Sequence, residues 1–97
     1  MPKYYVLANV KVTDPQQYEE YKKLSTKAFQ AHGLQPLVRG GAVEVLEGDW
    51  TPDRTVMLEF PSKEAALAWY ASPEYQAAKK AREGAAVMRM VLIEGAG

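Results

Sequence analysis

The sequence predicts an α+β domain in the order β-α-β-β-α-β, and three observations carry the prediction. Two stretches, Tyr4 to Val12 and Arg54 to Phe60, alternate along their length with the period of a β-strand. Between and after them, apolar residues recur at steps of three and four, the period of a helix. Wherever one period gives way to the other, Gly, Pro, Asp and Ser cluster.

The first strand sets Val6, Ala8, Val10 and Val12 on one face and Tyr5, Leu7, Asn9 and Lys11 on the other. Thr13-Asp14-Pro15 changes the period. Asp14 suits an N-cap, because its carboxylate can accept from a free helical N–H; Pro15 suits the first helical position, and Gln17 stands where a capping-box partner belongs. Tyr18, Tyr21, Leu24, Ala28 and Ala31 form one apolar helical stripe, and Gly33 ends the helix where a left-handed residue is wanted. A second strand is expected from Gln35 to Glu47, bent at Gly40-Gly41. Gly48-Asp49-Trp50-Thr51-Pro52-Asp53 is dense in turn formers and predicts a hairpin-like connection. The third strand turns Val56, Leu58 and Phe60 to one side and Thr55, Met57 and Glu59 to the other. Ser62 caps a short alanine-rich helix from Lys63 to about Tyr70, and Ser72-Pro73 repeats the signal for a further helical segment ending at Gly84. Met88 to Glu94 is the last strand. Two βαβ halves fitted together give the ferredoxin-like sandwich: helices on one face of a four-stranded antiparallel sheet.

Size and composition bound the rest. With 97 residues, residues 1–97 make a single domain, since roughly 100–200 residues per domain are typical. So short a chain hides only about 60–70% of its unfolded surface, and self-association adds burial. Twelve basic and twelve acidic residues balance, so no net field draws the chain to nucleic acid or to an anionic membrane. There is no cysteine, which excludes disulfides, thiolate metal sites and a cysteine nucleophile. No signal-peptide core and no run of about 18 apolar residues appears, and a cytoplasmic location is the simplest expectation.

Parity divides the strand residues into two faces. Val6, Ala8, Val10, Val43, Val45, Val56, Leu58, Phe60, Val91 and Ile93 are expected under the helices. The opposite face carries Leu7, Leu46, Met57, Met90 and Leu92, together with Asn9, Glu44, Thr55 and Glu59. A solvated sheet face is normally more polar than this, and no element is left in the chain to cover it. A second copy covers it most simply, giving a homodimeric α/β barrel whose interior holds those polar groups in a partly desolvated cavity. A register slip of one residue exchanges the two faces.

Leu37-Val38-Arg39-Gly40-Gly41, Glu47-Gly48-Asp49-Trp50, Leu58-Glu59-Phe60-Pro61-Ser62, the stretch Ala68 to Tyr75, and Arg82 carry a resemblance over nearly the whole chain. It resembles the domain of unknown function 1330 family, within the dimeric α/β-barrel, ferredoxin-like superfamily. The resemblance implies the fold and the dimer. It brings no established reaction and therefore no catalytic residues; superfamily relatives look like small-molecule enzymes (cofactor-independent monooxygenases, isomerases, dehydratases) and ligand-binding domains, an analogy at the level of fold.

The candidate residues each have two readings. Arg39 can clamp a ligand carboxylate bidentately, or bridge to Glu44 or Glu47. Gly40-Gly41 is better read as a bulge than as a phosphate loop, because no G-x-G-x-x-G or G-x-x-x-x-G-K-[ST] pattern is present. His32, the lone histidine, either caps the first helix or acts as a general acid–base. With one histidine and no cysteine, a transition-metal site is not expected. Glu44, Glu47, Asp49 and Glu59 have no recognisable metal-binding spacing. Trp50 and Arg54 form a lid over a pocket mouth, or Trp50 packs on the hairpin while Arg54 pairs with Asp49 or Asp53. Glu59, inside an apolar strand, is paired with an arginine across the dimer or titrates as an acid or base. Tyr18, Tyr21, Trp69, Tyr70 and Tyr75 read mainly as core. The leading expectation is a small dimeric enzyme without a cofactor, acting on an anionic or carbonyl-containing molecule: His32 or Glu59 moves a proton, and Asn9, Arg39, Glu44, Trp50 and Arg54 contact the ligand. The alternatives are a non-catalytic ligand-binding module and a module that only dimerises.

Overall fold

The computed structural model describes residues 2–51 and 53–97; Met1, and Pro52 of the expected turn, lie outside them. The elements are β1 (Tyr4–Val12), α1 (Pro15–Ala31), β2 (Val38–Arg39), β3 (Arg54–Phe60), α2 (Lys63–Ala71), α3 (Pro73–Ala81) and β4 (Ala86–Glu94). The sheet order is β2-β3-β1-β4 with every neighbouring pair antiparallel. This is the ferredoxin-like arrangement that the element order predicted.

The helix ends form for the reasons their residues suggest. Asp14 accepts from the Gln17 N–H at 3.1 Å, and Pro15 opens α1. The Gln17 side chain does not complete a capping box. Its amide reaches across to the carbonyls of Ala81 and Glu83 (3.1 and 2.7 Å), tying the start of α1 to the end of α3. Ser62 Oγ accepts from Ala65 N–H at 3.1 Å. Ser72 works twice: its hydroxyl donates to the Trp69 carbonyl at 2.7 Å and accepts from Tyr75 N–H at 3.1 Å, ending α2 and starting α3 at one residue. The break in the second helical region is thus a shared cap.

The core lies between the sheet and the helices. Val6, Ala8, Val10, Leu58 and Phe60 meet Tyr21, Ala28, Phe29, Ala66, Trp69, Tyr75 and Ala78. Trp69 is 1% exposed, with ring centroids of Tyr75 and Phe60 at 4.3 and 5.5 Å.

Two expectations are corrected. The strand expected over Gln35 to Glu47 is only Val38–Arg39, paired with Met57 and Val56. Gly40 N–H still bonds the Thr55 carbonyl at 2.8 Å, and beyond it the chain leaves the sheet; residues 41–51 form a largely exposed arm with no ladder partner among the described residues, so Val43 and Val45 do not lie under the helices. No strand among the described residues flanks it, and a strand needs a neighbour to satisfy its backbone. The second correction is the parity of β4. Ala86, Met88, Met90 and Leu92 sit opposite Val12, Val10, Ala8 and Val6 and so face the helices; Val91 and Ile93 face away. Thr13 and Asp14 N–H groups both bond the Ala85 carbonyl, at 2.8 and 3.0 Å, which anchors the strand start at Ala86 and sets the register. A near-continuous apolar run holds no alternation from which to read that choice.

Candidate functional site

Two depressions are candidates, one on each side of the sheet. The first lies on the helix side, between α1 and the strands. From α1 it takes Tyr18, Tyr21, Lys22, Ser25 and Phe29, from α2 Trp69, and from the sheet Val6, Ala8, Val56, Leu58, Met88 and Met90, with Arg39 and Arg54 at the β2–β3 end. Its volume is ≈ 20 Å³, room for about one water. Through Lys22, Arg39 and Arg54 it continues into an outer groove of ≈ 320 Å³ that also touches Glu19, Lys23 and Thr26.

The two arginines differ in how they are held. Arg39 donates from Nη2 to Thr26 Oγ1 and, at 3.4 Å, to the Lys22 carbonyl, and its guanidinium lies 5.4 Å from the Phe29 ring centre. It is braced against α1. Arg54 makes no ion pair with Asp49 or Asp53 among the described residues. It turns instead to the helix side, with its guanidinium against Gly40: a Cβ there would stand 2.8 Å from Arg54 Cζ, and Gly40 has φ +76. The glycine after Arg39 therefore makes room for Arg54. Arg54 Nε and Trp69 Nε1 are both buried and without a hydrogen-bond partner. Two donor atoms on one small cavity, each left unpaired, are the exceptions that buried polar groups rarely show.

Phenol groups supply the remaining polarity. Tyr21 and Tyr75 hydroxyls lie 3.0 Å apart. Burial pushes the Tyr21 phenol far up, and the neighbouring Tyr75 adds to it; burial also raises Tyr18, opposed by the charge of Arg54. Tyr18 and Tyr21 therefore stay neutral at physiological pH and can donate.

The second depression lies on the open face. Register places Thr55, Asn9 and Arg89 side by side across β3, β1 and β4, followed by the apolar row Val38, Met57, Leu7 and Val91, then Glu59, Tyr5 and Ile93. Trp50 comes over the polar row, and Asn9 Nδ2 reaches the Thr51 carbonyl at 3.5 Å. Leu7, Asn9, Trp50, Thr55, Arg89 and Val91 border a shallow pocket of ≈ 280 Å³. Trp50 and Thr55 also border a neighbouring groove of ≈ 420 Å³ beside the arm, which includes Glu44 and Glu47.

The structure thus divides the residues singled out in the sequence. Arg39 and Arg54 meet at the helix-side cavity, Asn9 and Trp50 at the open face, and Glu44 on the arm. His32 caps α1 and stands 3.6 Å from Glu74; it borders neither depression. Glu59 pairs with Lys3 at 2.7 Å rather than with an arginine. Trp69, Tyr18, Ser25 and Arg89 were not singled out as site residues. The aromatics follow the helical core stripe, which hides their polar ends, whereas Arg89 was visible as the lone base in an apolar strand. Among the described residues no cluster of three His, Asp or Glu side chains could hold a metal ion, and no helix is long and apolar enough to cross a membrane.

A family profile described as a domain of unknown function, DUF1330, matches residues 3–96, and the chain belongs to that family. No protein of curated function matches the sequence. Among solved structures it is similar to RPA0582 of Rhodopseudomonas palustris, a protein of unknown function, at 23% identity and TM-score 0.76 over 99% of this chain and 84% of that one. A dimeric ferredoxin-like protein of unknown function from Jannaschia sp. CCS1 is similar at 16% identity and TM-score 0.74, covering 95% and 98%. SnoaB of Streptomyces nogalater, a cofactor-independent oxygenase, is similar at 13% identity and TM-score 0.62, covering 96% and 92%. At these identities the likeness concerns the fold.

Proposed function

We propose that the chain acts as a homodimer whose helix-side cavity takes the oxygen of a small anionic or carbonyl-containing molecule, the body of the ligand lying in the outer groove. One observation carries this reading: Arg54 Nε and Trp69 Nε1 are buried, unpaired donors bordering the same cavity. A cavity that offers unpaired donors and apolar walls is complementary to an acceptor. Arg39, Arg54 and Lys23 at the mouth favour negative charge, Lys22 being paired with Glu19 at 2.7 Å. The same donors, held in a low-dielectric space, stabilise an enolate or phenolate more than its neutral parent, the arrangement that lets an enzyme act on an ionisable substrate without a cofactor. The neighbour described as a cofactor-independent oxygenase supports the catalytic form of the reading; the dimeric neighbour supports the homodimer.

A second reading, binding without catalysis, draws on the position of the proton-moving candidates. His32 and Glu59 border neither this cavity nor each other, so neither of these two residues can take a proton from a ligand held there. Native mass spectrometry of the freshly purified protein tests the ligand reading, followed by calorimetric titration with benzoate and, as an uncharged control, benzyl alcohol. A retained small molecule, or benzoate binding lost in both Arg54→Met and Trp69→Phe, supports it. No retained mass together with no benzoate binding at millimolar concentration leaves a module that only dimerises.

A further inference from the structure

The groove outside the helix-side cavity collects positive charge in a chain whose charges otherwise cancel. Twelve basic and twelve acidic residues balance over the whole sequence. Yet four bases, Lys22, Lys23, Arg39 and Arg54, border this one groove with a single acid, Glu19. Four positive charges against one negative leave three uncancelled. The bases come from α1, β2 and β3, so the fold gathers them and no local run of sequence does. Like charges held together repel, and a cleft that keeps them focuses its field on a ligand of opposite sign.

The bases are held differently from loose surface charges. Thr26 Oγ1 accepts from Arg39 Nη2 and donates to the Lys22 carbonyl at 2.8 Å, and the Phe29 ring backs the guanidinium. That bracing engages Nη2 and leaves the other N–H groups of Arg39 to face an anion. Among the described residues no carboxylate lies within ion-pair distance of Lys23, Arg39 or Arg54. Glu19 registers the field they make. A hydrogen bond from Lys22 holds its carboxyl below the usual carboxylate range, and the charges of Lys22, Lys23 and Arg54 add to the effect.

Resting on the ligand reading above, we propose that the outer groove is a dianion site and that the ligand has two ends. One end is the acceptor oxygen taken by the buried donors of the cavity; the other is a phosphate monoester held by Lys23, Arg39 and Arg54. A monoanion leaves two of the three charges facing each other, and a dianion leaves one. A phosphate monoester carries about −1.5 to −2 charges at neutral pH, and the guanidinium fork matches its oxygens. Arg54 borders both the cavity and the groove, so both ends reach one side chain and the ligand is short. A groove of ≈ 320 Å³ holds a small molecule, and the balanced charge elsewhere gives a nucleic-acid polyanion no track to follow.

Calorimetric titration of the full chain with four small probes at constant ionic strength tests this. Phosphoglycolate has both ends; glycolate and inorganic phosphate have one each; sulfoacetate has both, but its sulfonate carries a single charge. Phosphoglycolate is expected to bind at least about tenfold more tightly than any of the other three, because charge-assisted bonds then form at both ends. Lys23→Met, at an exposed position of α1, should weaken phosphoglycolate about threefold and glycolate hardly at all. Lys27→Met removes the same charge from α1 outside the groove and should change neither. Arg39→Met should weaken phosphoglycolate more than Lys23→Met does, with circular dichroism to confirm folding. Phosphoglycolate that binds no more tightly than sulfoacetate, or that loses as much in Lys27→Met as in Lys23→Met, overturns the dianion site; benzoate binding that persists then leaves the ligand reading standing. A protein that retains no small molecule and binds neither benzoate nor phosphoglycolate at millimolar concentration overturns both.

Discussion

The two faces of the sheet come from the same strands and use their side chains in opposite ways. On the helix side, Val6, Ala8 and Val10 alternate into a packed layer where Trp69, Tyr75 and Phe60 are fully enclosed, and the polar atoms are few and individually placed. On the open side, the same strands present rows in which Asn9, Thr55 and Arg89 are followed by Leu7, Met57 and Val91, and Trp50 comes over the polar row alone without enclosing it. The helix side is closed by the chain's own helices; the open side is left uncovered by any helix among the described residues. A substitution should therefore act on folding when it falls on the first face and on association when it falls on the second.

The largest expected effect comes from enclosure. Trp69→Ala removes a ring stacked among Phe29, Phe60, Tyr70 and Tyr75 and should lower stability by about 3–5 kcal/mol, read as a shift in the urea midpoint at unchanged slope. Val91→Ala on the open face should move the unfolding of isolated monomer by no more than about 0.5 kcal/mol. A large loss at Val91 in a monomeric background would erase the contrast between the faces.

Next comes the point where the two faces are joined. Gly40 combines a left-handed φ of +76 with the close approach of Arg54. Gly40→Ala should cost about 1–3 kcal/mol from the backbone alone. Part of any further loss should vanish in Arg54→Ala, since two residues in contact do not add independently. A double-mutant cycle read by thermal unfolding separates the two terms. If the cost is the same with and without Arg54, the glycine serves the turn only.

These residues also show how much was legible. The strand periods, the caps at Asp14, Ser62 and Ser72, and the element order follow from local chemistry, and the structure repeats them. Arg39 and the glycine beside it could be marked as unusual, but the reason for Gly40, an arginine fourteen positions later, is a tertiary contact that no local pattern contains. β4 failed for a different cause: Met90, Val91, Leu92 and Ile93 are all apolar, so parity depended on the Ala85 carbonyl that anchors the strand. The arm differed because its alternation reads as a strand's while no ladder partner lies beside it among the described residues. Trp69 reads as packing in the sequence and Arg54 as either a ligand contact or a partner of Asp49 or Asp53, and only the burial of their nitrogens sets them apart.

The smallest effect contrasts two groups that shift in the same direction for different reasons. Burial, then the neighbouring Tyr75, raises the Tyr21 phenol; a hydrogen bond to the Glu59 carboxylate, then its charge, raises the Lys3 ammonium on the exposed side. For both, the folded state keeps a proton that the unfolded chain gives up, so the linked stability is fully present below the unfolded values of 10.0 and 10.5 and declines as pH rises beyond them. Tyr21→Phe should cost about 1 kcal/mol at neutral pH through the lost hydroxyl pair, and it should flatten the decline above pH 10. That flattening should persist in high salt, because a buried phenol is screened very little. Glu59→Gln should change the thermal midpoint by an amount close to the error of measurement, and the change should disappear at about 1 M salt, where the Debye length is about 3 Å. An alkaline limb that salt abolishes in the wild type would assign it to surface charge and remove Tyr21 from the account. A Glu59→Gln effect that survives salt at a concentration where light scattering finds a dimer, but not at one where it finds a monomer, would show that the Glu59 row is covered when two copies meet.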